Sequence, residues 1–274
     1  MLKGPTLETH GLGFPNRDYR RILEGMCEYF KRYPGTNAIV LTGSLARGKA
    51  VEGSCIDLAV FLNKEAFASL GSTVNRRARA YARLGGRICY HSGNVEGGVT
   101  FGKVRVDLIF TDGRLDPQQQ DSYDVTRDEF ETTVGNLFVY SVLMYVRGRA
   151  YQQMKERYLP FYDDALRKTR LQATAAEFRH KTWKARWLAE RGEYVAALYS
   201  LLEAQRIFIQ HLFIKERKYP IDYVKWLREQ CKEILRMPDL YGEFTSTLGG
   251  IELTQEGITE RSVMVEAIFD KYCS

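Results

Sequence analysis

Asp57 and Asp107 are the residues whose surroundings best suit chemistry. Each lies in a run of alternating aliphatic residues. Ile56, Leu58, Val60 and Leu62 surround the first, and Val104, Val106, Leu108 and Phe110 the second. Side chains of a strand alternate between faces, so the aliphatic set points to a core. Cys55 and Asp57 then share the other face, as do Arg105 and Asp107. If the two strands are neighbours, both carboxylates stand on one face. An apolar run ending in Leu41-Thr42 and turning at Gly43-Ser44 precedes the first of them. Two carboxylates on rigid strands beside a Gly-Ser turn suit a divalent cation and a chain of phosphates.

The elements that must position these residues can be read from periodicity. Tyr19, Ile22, Leu23, Met26, Tyr29 and Phe30 recur at helical spacing, and Pro34-Gly35 stops that helix. Residues 38–42 are apolar on both faces, as in a central strand. A basic helical stretch with Arg76, Arg77, Arg79 and Arg83 spans 66–84 and reads as a solvated face. Residues 87–91 can form a strand, and Gly102 turns a hairpin between 99–101 and 103–110. Asp116 to Asp121 reads as a linker. Beyond it the period is that of helices. Residues 130–146 are apolar nearly all round and are expected to form one helix at an interface between domains. Further helices are expected over 171–190, from 194 to 213, over 223–235 and from about 259 to 272. Strands followed by helices, in blocks, predict an α+β chain. Its parts are a mixed β-sheet domain over 1–118 and an all-α bundle over 119–274.

Composition sets outer bounds. Apolar residues make up 45% and charged residues 27%, ordinary for a globular protein. The net charge of +6 suits an anionic ligand but is too small to argue for duplex binding. Cys27, Cys55, Cys89, Cys231 and Cys273 form no Cys-x-x-Cys pair, which predicts reduced thiols. The chain has no signal-peptide pattern and no apolar run of membrane-spanning length. The expectation is a soluble, cytoplasmic protein without a membrane partner.

Around the paired aspartates the chain resembles the polymerase-beta-type nucleotidyltransferase superfamily. Within it, the chain is similar to the bacterial minimal and antibiotic nucleotidyltransferases. The resemblance rests on Gly43-Ser44, Ala46-Arg47-Gly48, Ser54, Ile56-Asp57-Leu58 and Asp107 in that order, and covers roughly the first 115 residues. It implies transfer of a nucleoside monophosphate, from ATP or another nucleoside triphosphate, to a hydroxyl acceptor. The acceptor, a small molecule or a macromolecule, is not identified by the sequence. Gly43, Ser44, Arg47 and Ser54 would hold the triphosphate, and Asp57 and Asp107 would carry Mg²⁺ or Mn²⁺ and the catalysis. A homodimer is compatible with this reading.

One position departs from the family pattern. Cys55 stands where the first aspartate of Asp-x-Asp belongs, a position that ligates metal in active relatives. Mg²⁺ prefers oxygen, and a thiol of pKa about 8.5 is mostly neutral at pH 7. The site could keep one metal and work slowly, use a softer metal, or bind nucleotide without turning it over. An engineered change at position 55 would equally account for the thiol. The alternative function is therefore a non-catalytic nucleotide-binding or antitoxin-like protein. A general base would come from the helical part, with Glu203 the candidate taken and Asp124 and Glu131 behind it. Their bland reading is a solvated carboxylate. Arg206 and His211 loosely resemble the Arg…His signature of HEPN-type ribonucleases. Five residues on a helix separate two side chains by about 140°, which argues against that third reading. Tyr219-Pro220 and Lys225-Trp226 read as a core tryptophan beside a solvated lysine.

Overall fold

The computed structural model describes residues 12–70, 87–91, 94–115 and 130–273. The expected linker at 116–121, Asp124 and most of the basic stretch at 66–84 lie outside these residues. The chain divides into two compact units. One takes 1–116 with 134–160, and the other 117–133 with 161–274.

In the first unit, α1 (Arg17–Lys31) is capped by Asn16, whose side chain accepts from the Asp18 amide, and buries Tyr19, Ile22, Leu23, Met26, Cys27 and Phe30. Gly35, at φ 78°, turns the chain into β1 (Thr36–Thr42), followed by the single turn α2 (Gly43–Ala46) and β2 (Ile56–Leu62). Then come β3 (Arg87–His91), β4 (Asn94–Phe101) and β5 (Val104–Thr111). Residues 130–133 of α3 (Phe130–Val134) count with the second unit; from residue 134 the chain runs through a π-helical turn at Gly135–Val139, and β6 (Val142–Val146) and α4 (Ala150–Tyr158) complete the first.

The six strands are ordered β3-β4-β5-β2-β1-β6. Only β2 and β5 pair in parallel. One sheet face packs Ile39, Leu41, Ile56, Leu58, Val60, Val106 and Leu108 with the buried side of α1. On the other face Phe61 meets Phe138 and Tyr151, with ring centroids 5.6 and 5.0 Å apart. This double cover is why β1 and β2 read as continuous apolar runs. Tyr158 ties α4 to the end of β5, donating to the Leu115 carbonyl at 3.0 Å and accepting from its amide at 2.9 Å.

The expected helix over 130–146 is not formed. The helix ends in the π turn, and residues 142–146 are a strand hydrogen-bonded to β1. An apolar run fits a helix or a strand equally by periodicity. What decides here is the row of amides and carbonyls along β1, which needs partners once β1 is buried. The sequence-based boundary at 118/119 placed all of this segment with the helices. The compact division puts 134–160 with the sheet.

The second unit is helical. It contains α5 (Asp164–Glu190), α6 (Tyr194–Lys215), α7 (Pro238–Leu248) and α8 (Gln255–Cys273). Asp163 caps α5, accepting from the Leu166 amide. Gly192, at φ 76°, permits the reversal into α6. Residues 223–235, expected as one helix, instead form a loop, a short turn at Leu227–Glu229 and a π-helical turn at Gln230–Leu235. The Gln230 side chain accepts from the Ile221 amide and donates to the Asp222 and Lys225 carbonyls, which holds that loop open. Trp226 is 42% exposed rather than core, and Tyr219 is the buried member of the segment.

Phe178, Phe208, Phe244 and Phe269 form the centre of the bundle, with Phe178 and Phe269 stacked at 4.0 Å. A buried ion pair lies in the same unit. Arg170 contacts Glu131 at 2.7 Å with both side chains fully buried, and Tyr162 and Tyr223 donate to the same carboxylate at 2.9 and 3.2 Å. Such a pair is tolerated because its oxygens are multiply satisfied, and loss of one partner alone costs about 3–5 kcal/mol. Burial, then the Glu131 charge, pushes the Tyr162 and Tyr223 hydroxyls well above their ordinary range, so they remain donors.

His211 is buried, and its Nδ1 lies 2.9 Å from the Thr174 hydroxyl. Burial, then the charge of Lys215, lowers its pKa to about 4, with a hydrogen bond to the Leu171 backbone opposing the shift and the Arg167 charge adding slightly to it. An unfolded chain takes up this proton near pH 6.5, before the folded one does. Stability is therefore expected to fall as pH drops from about 6.5 towards 4. Urea unfolding at pH 7 and pH 4.5 checks this, with a smaller acid loss expected for His211→Gln than for the wild-type chain.

Candidate nucleotide and metal site

The parallel pairing of β2 and β5 places Asp57 directly beside Asp107 in register. Both point away from the aliphatic face that meets α1, as strand alternation predicts. On the far side of β5, Gly98 of β4 is paired with Asp107. A Cβ there would lie 3.3 Å from Asp107 Oδ1 and 3.9 Å from Arg105 Nε, so glycine keeps the space over that carboxylate open.

Gly43 is required for two reasons. Its φ of 67° is left-handed, and a Cβ would lie 1.9 Å from Asp57 Oδ2. The chain leaves β1 at Thr42, turns at Gly43 against the Asp57 carboxylate, and buries Ser44 in α2. Gly48, at φ 68°, ends that turn while the Lys49 amide donates to the Ser44 carbonyl. Arg47 is the residue closing α2. The structure thus brings Gly43, Ser44, Arg47, Asp57 and Asp107 onto one end of adjoining strands.

Ser54 is occupied within its own loop. Its hydroxyl accepts from the Val51 amide at 3.0 Å, and its carbonyl accepts from the Tyr19 hydroxyl at 2.8 Å. Tyr19 also accepts from the Gly53 amide, which fastens the loop before β2 to α1. The helical spacing of Tyr19 marked it only as core, and its hydroxyl has this further task.

Cys55 is half-buried, beside the Asp107 carboxylate. Burial, then the neighbouring Asp107 and Asp57 charges, pushes its pKa up to about 11. At neutral pH it is a protonated, uncharged S–H. Asp107 has a second partner in Arg105, whose Nε donates to Oδ1 at 2.6 Å. The strand alternation already put Arg105 on the Asp107 face, but only the structure shows the contact.

These contacts decide what metal the residues fit. Among the described residues no set of three His, Cys, Asp or Glu side chains is arranged to hold an ion. A neutral thiol adds no charge and is a poor ligand for a hard cation. Asp57 and Asp107 fit one divalent ion, with further oxygens from a bound phosphate chain, once Arg105 turns away from Asp107. They do not fit the pair of ions that a third carboxylate at position 55 would bridge.

Glu203 belongs to the helical unit, where its half-exposed carboxylate lies 3.6 Å from Lys181. Glu131 is the buried partner of Arg170. Arg206 and His211 are not brought together as a ribonuclease pair. The first lies over the Tyr223 ring, and the second is buried against Thr174.

With this geometry in place, comparison with known proteins is direct. Residues 19–132 match the family model of nucleotidyltransferase domains. The crystal structure of a nucleotidyltransferase-like protein from Exiguobacterium sibiricum is similar at 14% identity and a TM-score of 0.43. The match covers 92% of this chain and 73% of that one. No curated protein matches the chain.

Two substitutions should open the metal site. Cys55→Asp restores a carboxylate, and Arg105→Ala removes the cation held on Asp107. Mn²⁺ titration followed by electron paramagnetic resonance should show affinity raised about tenfold for the first and severalfold for the second. Unchanged affinity in both would contradict the assignment of Asp107 to the ion.

Proposed function

We propose that the chain binds a nucleoside triphosphate with one divalent ion. In this reading it transfers the nucleoside monophosphate slowly to a hydroxyl acceptor. The observation that carries the reading is the in-register pair Asp57 and Asp107, placed beside a Gly43-Ser44 turn in the segment that matches nucleotidyltransferase domains. ATP is the donor favoured by the resemblance. Gly43 lets the backbone approach the phosphates, Ser44 adds a donor, and Arg47 adds a cation. Ser54 serves through the shape of its loop. A bound Mg²⁺ or Mn²⁺ would neutralise charge on the phosphates and the leaving pyrophosphate.

The transfer forms a bond from the acceptor oxygen to the α-phosphorus and breaks the bond to pyrophosphate. The acceptor proton passes to water or a base. Asp57 and Asp107 would hold the cation, which would supply charge neutralisation at the donor phosphates. Glu203 has no place in this proposal, since its carboxylate is engaged with Lys181.

Cys55 and Arg105 favour a second reading, binding with little or no turnover. Both lie beside Asp107, and neither brings the negative charge that a second ion needs. Pyrophosphate release with a panel of hydroxyl acceptors, in Mg²⁺ and in Mn²⁺, distinguishes the two. The transfer reading expects measurable release by the wild-type chain, a rise of about tenfold or more in Cys55→Asp, and none in Asp57→Asn. Release by no variant, together with retained triphosphate binding, would leave the binding reading. Loss of activity in Cys55→Ala would instead make the thiol itself functional.

A further inference from the structure

Arg105 stands at the candidate site but has no part in the function proposed above. It shares the Asp107 face of β5, and its Nε donates to Asp107 Oδ1 at 2.6 Å. The pair lies over Gly98 of β4, the residue paired with Asp107. A Cβ at Gly98 would press on Oδ1 at 3.3 Å and touch the Arg105 Nε at 3.9 Å. The glycine therefore leaves a bay in which the guanidinium can lie and turn. The hydrogen bond with Asp107, then its charge, raises the Arg105 pKa above its ordinary value, and the Asp57 charge adds to them. The guanidinium is thus in the field of both carboxylates. The side chain is 65% exposed, and among the described residues its hydrogen bonding runs through Nε alone. The two Nη groups face solvent as an open fork of donors.

The charge balance of the site gives this fork a use. Three carboxylates with two divalent ions leave one net positive charge to face a chain of phosphates. In this chain position 55 holds a neutral thiol, so a carboxylate is missing, and with it the place of a second ion. Asp57 and Asp107 with a single divalent ion are neutral. The Arg105 guanidinium brings the same pair back to one net positive charge. It needs no third carboxylate to hold it there, because β5 carries it two residues from Asp107. A guanidinium also stays protonated at any working pH, and its planar fork matches two phosphate oxygens at once.

We propose that Arg105 binds the phosphates of the triphosphate and supplies the charge of the missing second ion. In the empty site its guanidinium holds Asp107. When Asp57 and Asp107 take up a cation, the guanidinium is released and turns its fork to the phosphates. The release is easy because the ion pair is exposed. A guanidinium neutralises phosphate charge but does not lower the pKa of a hydroxyl as a metal ion does, which agrees with slow transfer. The inference rests on the reading of this site as a triphosphate site and adds to it a residue that changes partner on loading.

Two titrations of the full chain test this, and Arg105→Ala should move them in opposite directions. Mn²⁺ alone, followed by electron paramagnetic resonance, should bind Arg105→Ala severalfold more tightly than the wild type, since a competing cation has gone. A non-hydrolysable ATP analogue with Mg²⁺, followed by calorimetry, should bind Arg105→Ala about tenfold more weakly. Arg105→Lys keeps the charge without the fork and should fall between the two. Adding Cys55→Asp to Arg105→Ala supplies the carboxylate for a second ion. That double variant should regain the lost affinity for the analogue in Mn²⁺, with about two ions bound per chain against one in the wild type. Arg105 is exposed, and circular dichroism with a thermal melt checks that each variant is folded. If Arg105→Ala binds the Mg²⁺ analogue as tightly as the wild type or more tightly, the proposal is overturned. Arg105 is then only a counter-ion of Asp107, and the triphosphate reading stands. If the wild-type chain does not bind the analogue at all, the triphosphate reading fails and takes this proposal with it.

Discussion

Everything at the candidate site depends on one pairing, the parallel contact between β2 and β5. A parallel ladder keeps residues of the same alternation phase side by side, so Asp57 and Asp107 share a face with their backbones hydrogen-bonded together. A one-residue slip would turn one carboxylate into the core. That slip is opposed by the aliphatic residues on the other face, which are buried against α1. The hydrophobic pattern therefore sets the position of the polar pair, and Gly43 lets the turn after β1 come up against Asp57.

The same pairing sets the electrostatic problem of the site. Two carboxylates held side by side repel unless a cation or a donor lies near. In this chain Arg105 and the Cys55 thiol fill that role on Asp107. Arg105 sits on an exposed strand position and can turn away at low cost, since an exposed ion pair contributes about 1 kcal/mol or less. The thiol cannot become a useful anion while two carboxylates stand beside it. In the proposed reading, the balance between Arg105 and an incoming cation sets how readily the site would load.

The strands and their phase were legible in the sequence because β2 and β5 each carry an alternating aliphatic set that is buried in the core shared with α1. The hairpin at Gly102 and the stop of α1 at Gly35 were legible from turn residues, and both glycines have positive φ. Residues 130–146 were not, because an apolar segment with no polar face carries no period to read. Only the hydrogen-bonding need of β1 makes 142–146 a strand. The role of Arg105 was half-visible as a side chain on the Asp107 face. The engagement of Tyr19 by the loop at Ser54 depends on a contact across 35 residues and leaves no local pattern. Glu131 shows the same limit, since its burial against Arg170 and two tyrosines comes wholly from tertiary packing.

The central claim is that Asp57 and Asp107 together hold a cation for a triphosphate seated on the Gly43-Ser44 turn. Calorimetric titration of a non-hydrolysable ATP analogue, with and without Mg²⁺, tests it most directly. The wild-type chain should bind more tightly with Mg²⁺, and Asp57→Asn with Asp107→Asn should remove that gain while leaving metal-free binding nearly unchanged. Equal affinity of the wild-type and doubly substituted chains in Mg²⁺ would contradict the account.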